Sequence, residues 1–232
     1  MLYSPLGERM SGCARGAVLF DLDGTLVDSN YQHALAWYLA FREIGVVLPI
    51  WRIHRHIGMG GDQMVPALIG EARAEQLGDQ LRAAEKQQFE RLLDQISPLE
   101  GAHELLVALN AWGHELVLAS SSPEQYLDRY LDLLDAHDLI DAATTSEDVE
   151  ATKPEPDLIE VAKQKGHSPA LAMVGDSPWD IQAAARAGLP CIALLTGGYS
   201  QRELVDAGAE AVFESLVELH LSATETSLSR NR

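Results

Sequence analysis

Asp21 and Asp23, in "AVLFDLDGTLVDS" (17–29), are carboxylates at the end of an apolar run. The chain already carries a formal net charge of −18, and buried carboxylates are costly unless paired or bound to a cation. Residues two apart on a strand point the same way, which lets both acids face one site. A calcium loop does not fit. That pattern wants Gly at its sixth position and Glu at its twelfth, whereas Gly24 is fourth and Gln32 twelfth here. Other apolar runs deliver Ser120 in "VLASSSPEQ" and both Asp176 and Asp180 in "VGDSPWD". In "TKPEPD", Lys153 precedes Pro154, which biases it toward an extended conformation. Asp28 or Ser29, Ser122 and Ser177 read as helix N-caps, the last two followed by Pro at the first helical position, and Asp180 completes a capping box. Asp176, between strand and cap, has no such local role.

These residue types suit phosphoryl transfer. A carboxylate attacking a phosphate dianion meets about 4 kcal/mol of repulsion per pair of unit charges at 4 Å and an effective dielectric of 20, or roughly 8 kcal/mol in all. A lysine and a hard divalent cation with oxygen ligands, Mg2+ foremost, offset it. A serine hydroxyl and neighbouring backbone N–H groups hold a phosphoryl oxygen. One carboxylate then attacks, while the second protonates the leaving oxygen and later activates water.

The elements that must position these groups alternate along the chain. "GAVLF", "HELVLAS", "ALAMVGD", "LPCIALLTG" and "AEAVFES" read as strands, separated by helical stretches such as "AHELLVALNAWG", "PEQYLDRYLDLLDAH" and "PWDIQAAARAG". Alternation of this kind implies an α/β fold, a parallel sheet with helices on both faces, and ligands at the carboxyl ends of the strands. Residues 28–97 contain only helical text. "HALAWYLAFREIG" is amphipathic, and Leu77, Leu81, Ala84, Leu92 and Ile96 fall near helical spacing. The expected organisation is a core of 16–27 and 98–220, an inserted helical cap of 28–97, and flexible termini of 1–15 and 221–232.

Of the 232 residues, 47% are hydrophobic, enough for a proper core, and no run of 18 apolar residues offers a membrane span. The excess of 35 Asp and Glu over 17 Lys and Arg argues against nucleic acid or an anionic membrane as partner. Cys13 and Cys191 do not make a disulfide framework, and the first residues lack the apolar stretch of a signal peptide. A cytoplasmic protein is expected.

In order along the chain, "DLDGT", "LASSS", "TKPEPD" and "GDSPWD" resemble the four motifs of the haloacid dehalogenase superfamily of phosphohydrolases, across 17–219. The resemblance implies a Rossmann-like sheet with a mobile helical cap, Mg2+ as cofactor and a small phosphorylated metabolite as substrate. It makes Asp21 the nucleophile that forms an aspartyl-phosphate and Asp23 the general acid/base, whose backbone carbonyl also binds Mg2+. Asp176 would ligate the metal directly, with Asp180 beside it. Asp21, Gly24, Thr25, Ser120, Ser121 and Lys153 would surround the phosphoryl group.

The nearest patterns are phosphoglycolate phosphatases and beta-phosphoglucomutases. Carbon–halogen cleavage is disfavoured, because the dehalogenases lack the second aspartate that Asp23 supplies. Phosphonate cleavage is disfavoured because the cap's lysine, Lys86, lies in the long helix rather than in the loop that supplies the Schiff base. His33 matches a histidine of the mutases, but Gly60 and Gly61 stand where a mutase places the arginine for a distal phosphate, which favours hydrolysis. Arg52, His54, Arg55 and His56 form a basic cap stretch, in which Arg55 is a candidate substrate contact with His33, Gly60 and Gly61. The alternatives are a phosphosugar mutase and a non-enzymatic phosphoacceptor domain; the latter leaves Asp23 and the cap unexplained.

Overall fold

The strands follow in chain order as β1 (Ala17–Phe20), a short pair β2 (Val27–Asp28) and β3 (Ser97–Pro98), β4 (Glu115–Ala119), β5 (Ala142–Thr144), β6 (Ala170–Gly175), β7 (Cys191–Leu194) and β8 (Ala211–Phe213). The computed structural model describes residues 16–228. Six of the strands form a sheet in the order β5-β4-β1-β6-β7-β8, with every neighbouring pair parallel. The short, fully buried apolar runs of β1 and β4 are what a sheet covered on both faces requires.

Alternate residues of β1 serve opposite cores. Val18 and Phe20 join one apolar cluster with Leu116, Leu118, Val174 and Ile192, whereas Ala17 and Leu19 join another with Val117, Ala119 and Met173. The first is covered by α5 (Ala102–Ala111), α6 (Leu127–Leu134) and α10 (Leu216–Ser222), the second by α7 (Asp157–Lys165), α8 (Pro178–Arg186) and α9 (Gln201–Ala207). From β1 the chain passes to β4 and β5 on one side, then crosses to β6, β7 and β8 on the other. The order reverses beside β1, and ligands of open parallel sheets bind at such a switch point.

Between β2 and β3 lie α1 (Asn30–Glu43), α2 (Ile50–His54), α3 (Gly61–Ile69) and α4 (Glu71–Glu90), packed on their own cluster of Trp37, Phe41, Ile53, Met64, Leu68 and Leu81. The two chain crossings run side by side, Val27 opposite Pro98 and Asp28 opposite Ser97, antiparallel. The helical spacing expected to continue to Ile96 stops at Glu90. Leu92 lies in a turn, and Phe89 and Ile96 point into the sheet's core instead of the helical cluster. Among the described residues, no helix is long and apolar enough to cross a membrane.

The expectation of a flexible segment from residue 221 fails in part. Chain through Leu228 is packed, with Ala223 and Leu228 fully buried against Leu216, Leu219 and the β1 face of the core. Its polar composition hid two apolar anchors. The flexible segment expected at 1–15, with Cys13, and the remainder of the tail lie outside the described residues. Leu228→Ala should lower unfolding free energy by about 2 kcal/mol or more in urea titrations; an unpacked tail would leave it unchanged.

Candidate active site

Each chemically able residue emerges where the backbone leaves an element. Asp21 follows β1 and stays in sheet register, its N–H donating to Val174 O at 3.0 Å. The chain then turns through Gly24, at φ +75°, whose N–H donates to Val27 O at 2.8 Å. A Cβ at position 24 would collide with the Asn30 side chain and the Asp176 carboxylate, so glycine is needed for space as well as conformation. Ser120 follows β4 and Asp176 follows β6. Ser177 then caps α8, with Pro178 at its first turn. Asp180 Oδ2 accepts from Ser177 N at 3.1 Å and from Ser177 Oγ at 2.6 Å, the expected capping box.

Lys153 carries the charge balance. Its Nζ lies 2.7 Å from Asp21 Oδ1 and 2.8 Å from Asp180 Oδ1, and all three side chains are buried. Asp180 thus uses one oxygen to cap a helix and the other to hold the ammonium. Asp21, Asp176 and Asp180 each bring a carboxylate oxygen to within 4.8 Å of the others. Burial pushes the Asp21 carboxyl well up; Lys153 pulls it back, while Asp180 and Asp176 add to the rise. Asp176 is pushed up to about 7 by burial and by Asp180, despite hydrogen bonds from Asn30 and Thr25. Three buried carboxylates facing one ammonium retain excess negative charge. An all-oxygen, hard donor set of this kind fits a divalent cation such as Mg2+.

Asp23 belongs to a different network. Its Oδ1 accepts from Ser29 Oγ at 2.5 Å and Tyr130 OH at 3.2 Å, its Oδ2 accepts from Ser122 Oγ, and His33 Nε2 is 3.3 Å from Oδ1. His33 is stacked on Phe89 at 3.7 Å, with Nδ1 3.1 Å from Glu85 Oε1. Burial alone raises the Asp23 carboxyl, but the His33 charge and the hydroxyl donors outweigh it and hold it well below the usual carboxylate range. Burial likewise lowers His33, and Asp23 with Glu85 reverses this, lifting it to about 10. The paired acids of the sequence therefore face one cavity while their carboxylates rest in separate electrostatic surroundings.

That cavity, about 460 Å³, is lined by Asp21, Asp23, His33, Gly60, Gly61, Ser121 and Ser122 among others. Ser121 Oγ is buried and has no hydrogen-bond partner among the described residues. Several expected contacts fall elsewhere. Thr25 is fully buried and donates to Asp176 Oδ1 at 2.8 Å, so it orients a carboxylate and does not line the cavity; Gly24 shapes the same turn. Ser120 is buried behind the wall, its Oγ accepting from Ser122 N at 3.0 Å. Ser122 and Ser29 make no side-chain cap hydrogen bond, and both hydroxyls donate to Asp23.

Arg55 is not brought to the cavity. It pairs with Glu203 and lies 4.2 Å from the Tyr199 ring centroid, tying the cap to α9. His54 follows the same pattern, Nε2 lying 3.0 Å from Gly197 O, and His56 stacks on Trp179. Gly60 approaches the core closely: its N–H donates to Thr152 Oγ1 at 3.0 Å, and a Cβ there would collide with that side chain. Thr152 in turn donates to Asp62 through its N–H and hydroxyl. Sequence reasoning missed Asn30, whose Nδ2 donates to Asp176 Oδ2 at 2.8 Å across 146 residues, and also Tyr130 and Glu85. Their chain separations left no local signal.

Residues 18–194 match the family model described as haloacid dehalogenase-like hydrolase. The chain belongs to this family. Among its relatives in the haloacid dehalogenase-like hydrolases, the phosphoglycolate phosphatase of Escherichia coli (strain K12) is 32% identical over 230 residues, covering 87% of this chain and 90% of that protein. The validoxylamine A 7'-phosphate phosphatase of Streptomyces hygroscopicus subsp. limoneus is 29% identical over 192 residues, covering 77% and 84%. A hydrolase structure from Pseudomonas syringae superposes with a TM-score of 0.85 at 36% identity, covering 91% of this chain and 99% of that one. The six-stranded parallel sheet is the sheet of a haloacid dehalogenase-like hydrolase, and the chain is an enzyme by family.

The His33–Asp23 pair makes a pH prediction. His33 is raised from 6.5 to about 10 on folding, so its stabilisation is complete below pH 6.5 and is lost as pH rises through about 10. Asp23 is lowered on folding, so its share is present above pH 3.8 and is lost as pH falls below that value. Urea unfolding of wild type and His33→Gln should therefore differ most between about pH 4 and pH 6.5 and converge toward pH 10.

Proposed function

We propose that this chain is a Mg2+-dependent phosphatase of a small phosphorylated metabolite, working through an aspartyl-phosphate on Asp21. The observation that carries this reading is Lys153 bridging Asp21 and Asp180 beside Asp176, at the switch point of the sheet, with Asp21 lining a metabolite-sized cavity. The phosphoglycolate phosphatase relatives support the reaction class and a short, phosphorylated substrate.

Asp21, Asp176 and Asp180 would hold the metal with the backbone carbonyl of Asp23, and the metal supplies positive charge to the phosphoryl oxygens. Lys153 fixes one oxygen of Asp21 and lowers its charge repulsion toward an incoming phosphate. The nucleophilic Asp21 oxygen then bonds to phosphorus as the bond to the substrate's leaving oxygen breaks. Ser121, with a free hydroxyl on the cavity wall, is the side chain placed to donate to a phosphoryl oxygen.

Asp23 serves both halves. It is a carboxylate at rest, the form that takes a proton from the water attacking the aspartyl-phosphate and restores Asp21. In the first half the protonated His33, 3.3 Å away, passes its proton through Asp23 to the leaving oxygen, and the proton that Asp23 later takes from water returns to His33. Tyr130, Ser29 and Ser122 keep its two oxygens aimed.

Phosphate release from 2-phosphoglycolate, sugar phosphates and nucleotides, with Mg2+ and with a chelator, tests the reading. Release should require Mg2+ and fall at least about 10³-fold in Asp21→Asn. Asp23→Asn should form phosphoenzyme but turn it over slowly, detectable as trapped acid-stable label. Wild-type release by Asp21→Asn would overturn the mechanism. In the same samples without substrate, Mg2+ should raise the melting temperature of the wild type and do so much less in Asp176→Asn.

A further inference from the structure

His54, Arg55 and His56 of the basic stretch are engaged by the core, yet the cavity has cations of another origin. Arg82 and Lys86, one turn apart on α4, both line it. Their side chains are not bound into the fold. Among the described residues Lys86 makes no ion pair, and Arg82 pairs only with Asp79, which is 99% exposed and therefore a weak, exchangeable partner.

Glycines give Arg82 its path. A Cβ at Gly61 would press on Arg82 Cγ and the Trp37 ring, all at 3.1 Å, and a Cβ at Gly78 would lie 3.1 Å from Arg82 Nη1. Gly78 sits mid-helix, where glycine costs about 1 kcal/mol relative to alanine, and it leaves room for the guanidinium. The opposing acids are partly committed: Asp62 accepts from Thr152 and Glu85 faces His33, which leaves Glu150 as the exposed carboxylate of the lining.

We infer that Arg82 and Lys86 bind a second anionic group of the substrate, remote from the transferred phosphoryl group, so that the enzyme prefers phosphate monoesters with a charged tail. This rests on the phosphatase reading above. The tail's charge is what the two cations recognise, and a carboxylate or a second phosphate meets that requirement.

The test compares kcat/KM for 2-phosphoglycolate (carboxylate tail) and for a sugar bisphosphate (phosphate tail), each divided by that for p-nitrophenyl phosphate (neutral tail). The wild type should favour one of the charged tails. In the double variant Arg82→Ala, Lys86→Ala that ratio should fall roughly tenfold, mainly through KM. Arg82→Lys with Lys86→Arg should keep most of the preference. The ratio that falls identifies the tail. An unchanged ratio in the double variant, or no wild-type preference for a charged tail, overturns the inference while leaving the phosphatase reading intact. Absence of Asp21-dependent hydrolysis of all three substrates overturns both.

Discussion

A buried ammonium held between two buried carboxylates is the interaction from which the rest of this site follows. Lys153 has no exposure, and neither has the Asp180 carboxylate that helps hold it. Removing either partner would leave a buried charge uncompensated, a loss on the order of 3–5 kcal/mol. The arrangement persists because three separate elements converge on it: the residue after β1, the loop before α7 and the first turn of α8. Asp180 is bound to both the helix cap and the lysine, so the start of α8 cannot shift without moving the charge it balances. Asp176 and Asp21 remain under-compensated, and burial with mutual repulsion pushes both carboxyls up.

The sheet order turns this cluster into an active edge. Because the strand order reverses beside β1, the parallel neighbours β4, β1 and β6 bring Ser120, Asp21 and Asp176 to adjacent strand ends. The cap enters and leaves through one antiparallel pair and then touches the core again at Gly60–Thr152, Asp62–Thr152, His54–Gly197 and Arg55–Glu203. Thr152 adjoins Lys153, so the cap's contact and the central ammonium share one loop. Asp23 is held by groups from both parts: His33 from α1, and Ser122 and Tyr130 from the core. The placement of α1 and of the core loop after β4 is thereby linked through one carboxylate.

Much of this was legible from local pattern. Strand ends followed by Asp-x-Asp, Ser and Gly-Asp announced a parallel sheet with chemistry at its carboxyl edge, and the Ser177–Asp180 box was read correctly as a cap. The misreadings share one cause. Ser29 and Ser122 sit where a helix start would use a hydroxyl, yet neither caps with its side chain, and both donate to Asp23, 6 and 99 residues away. Thr25 resembles a substrate contact until Asp176, 151 residues away, accepts its hydrogen bond. Arg55 looks available for an anion until α9 presents Glu203. Leu228 looks like tail until an apolar groove receives it.

Sequence alone determined the identities and chain order of Asp21, Asp23, Ser120, Lys153, Asp176 and Asp180, and their places at element ends, because strand and cap preferences act over a few residues. Tertiary structure alone decided which acid meets which base. It gave Asp21 to Lys153 and Asp23 to His33, took Arg55 for α9, and turned Arg82 and Lys86 toward the cavity. The reason is physical: electrostatic and hydrogen-bond partners are chosen by distance in space, and a polar group accepts whichever partner folding brings within about 3 Å.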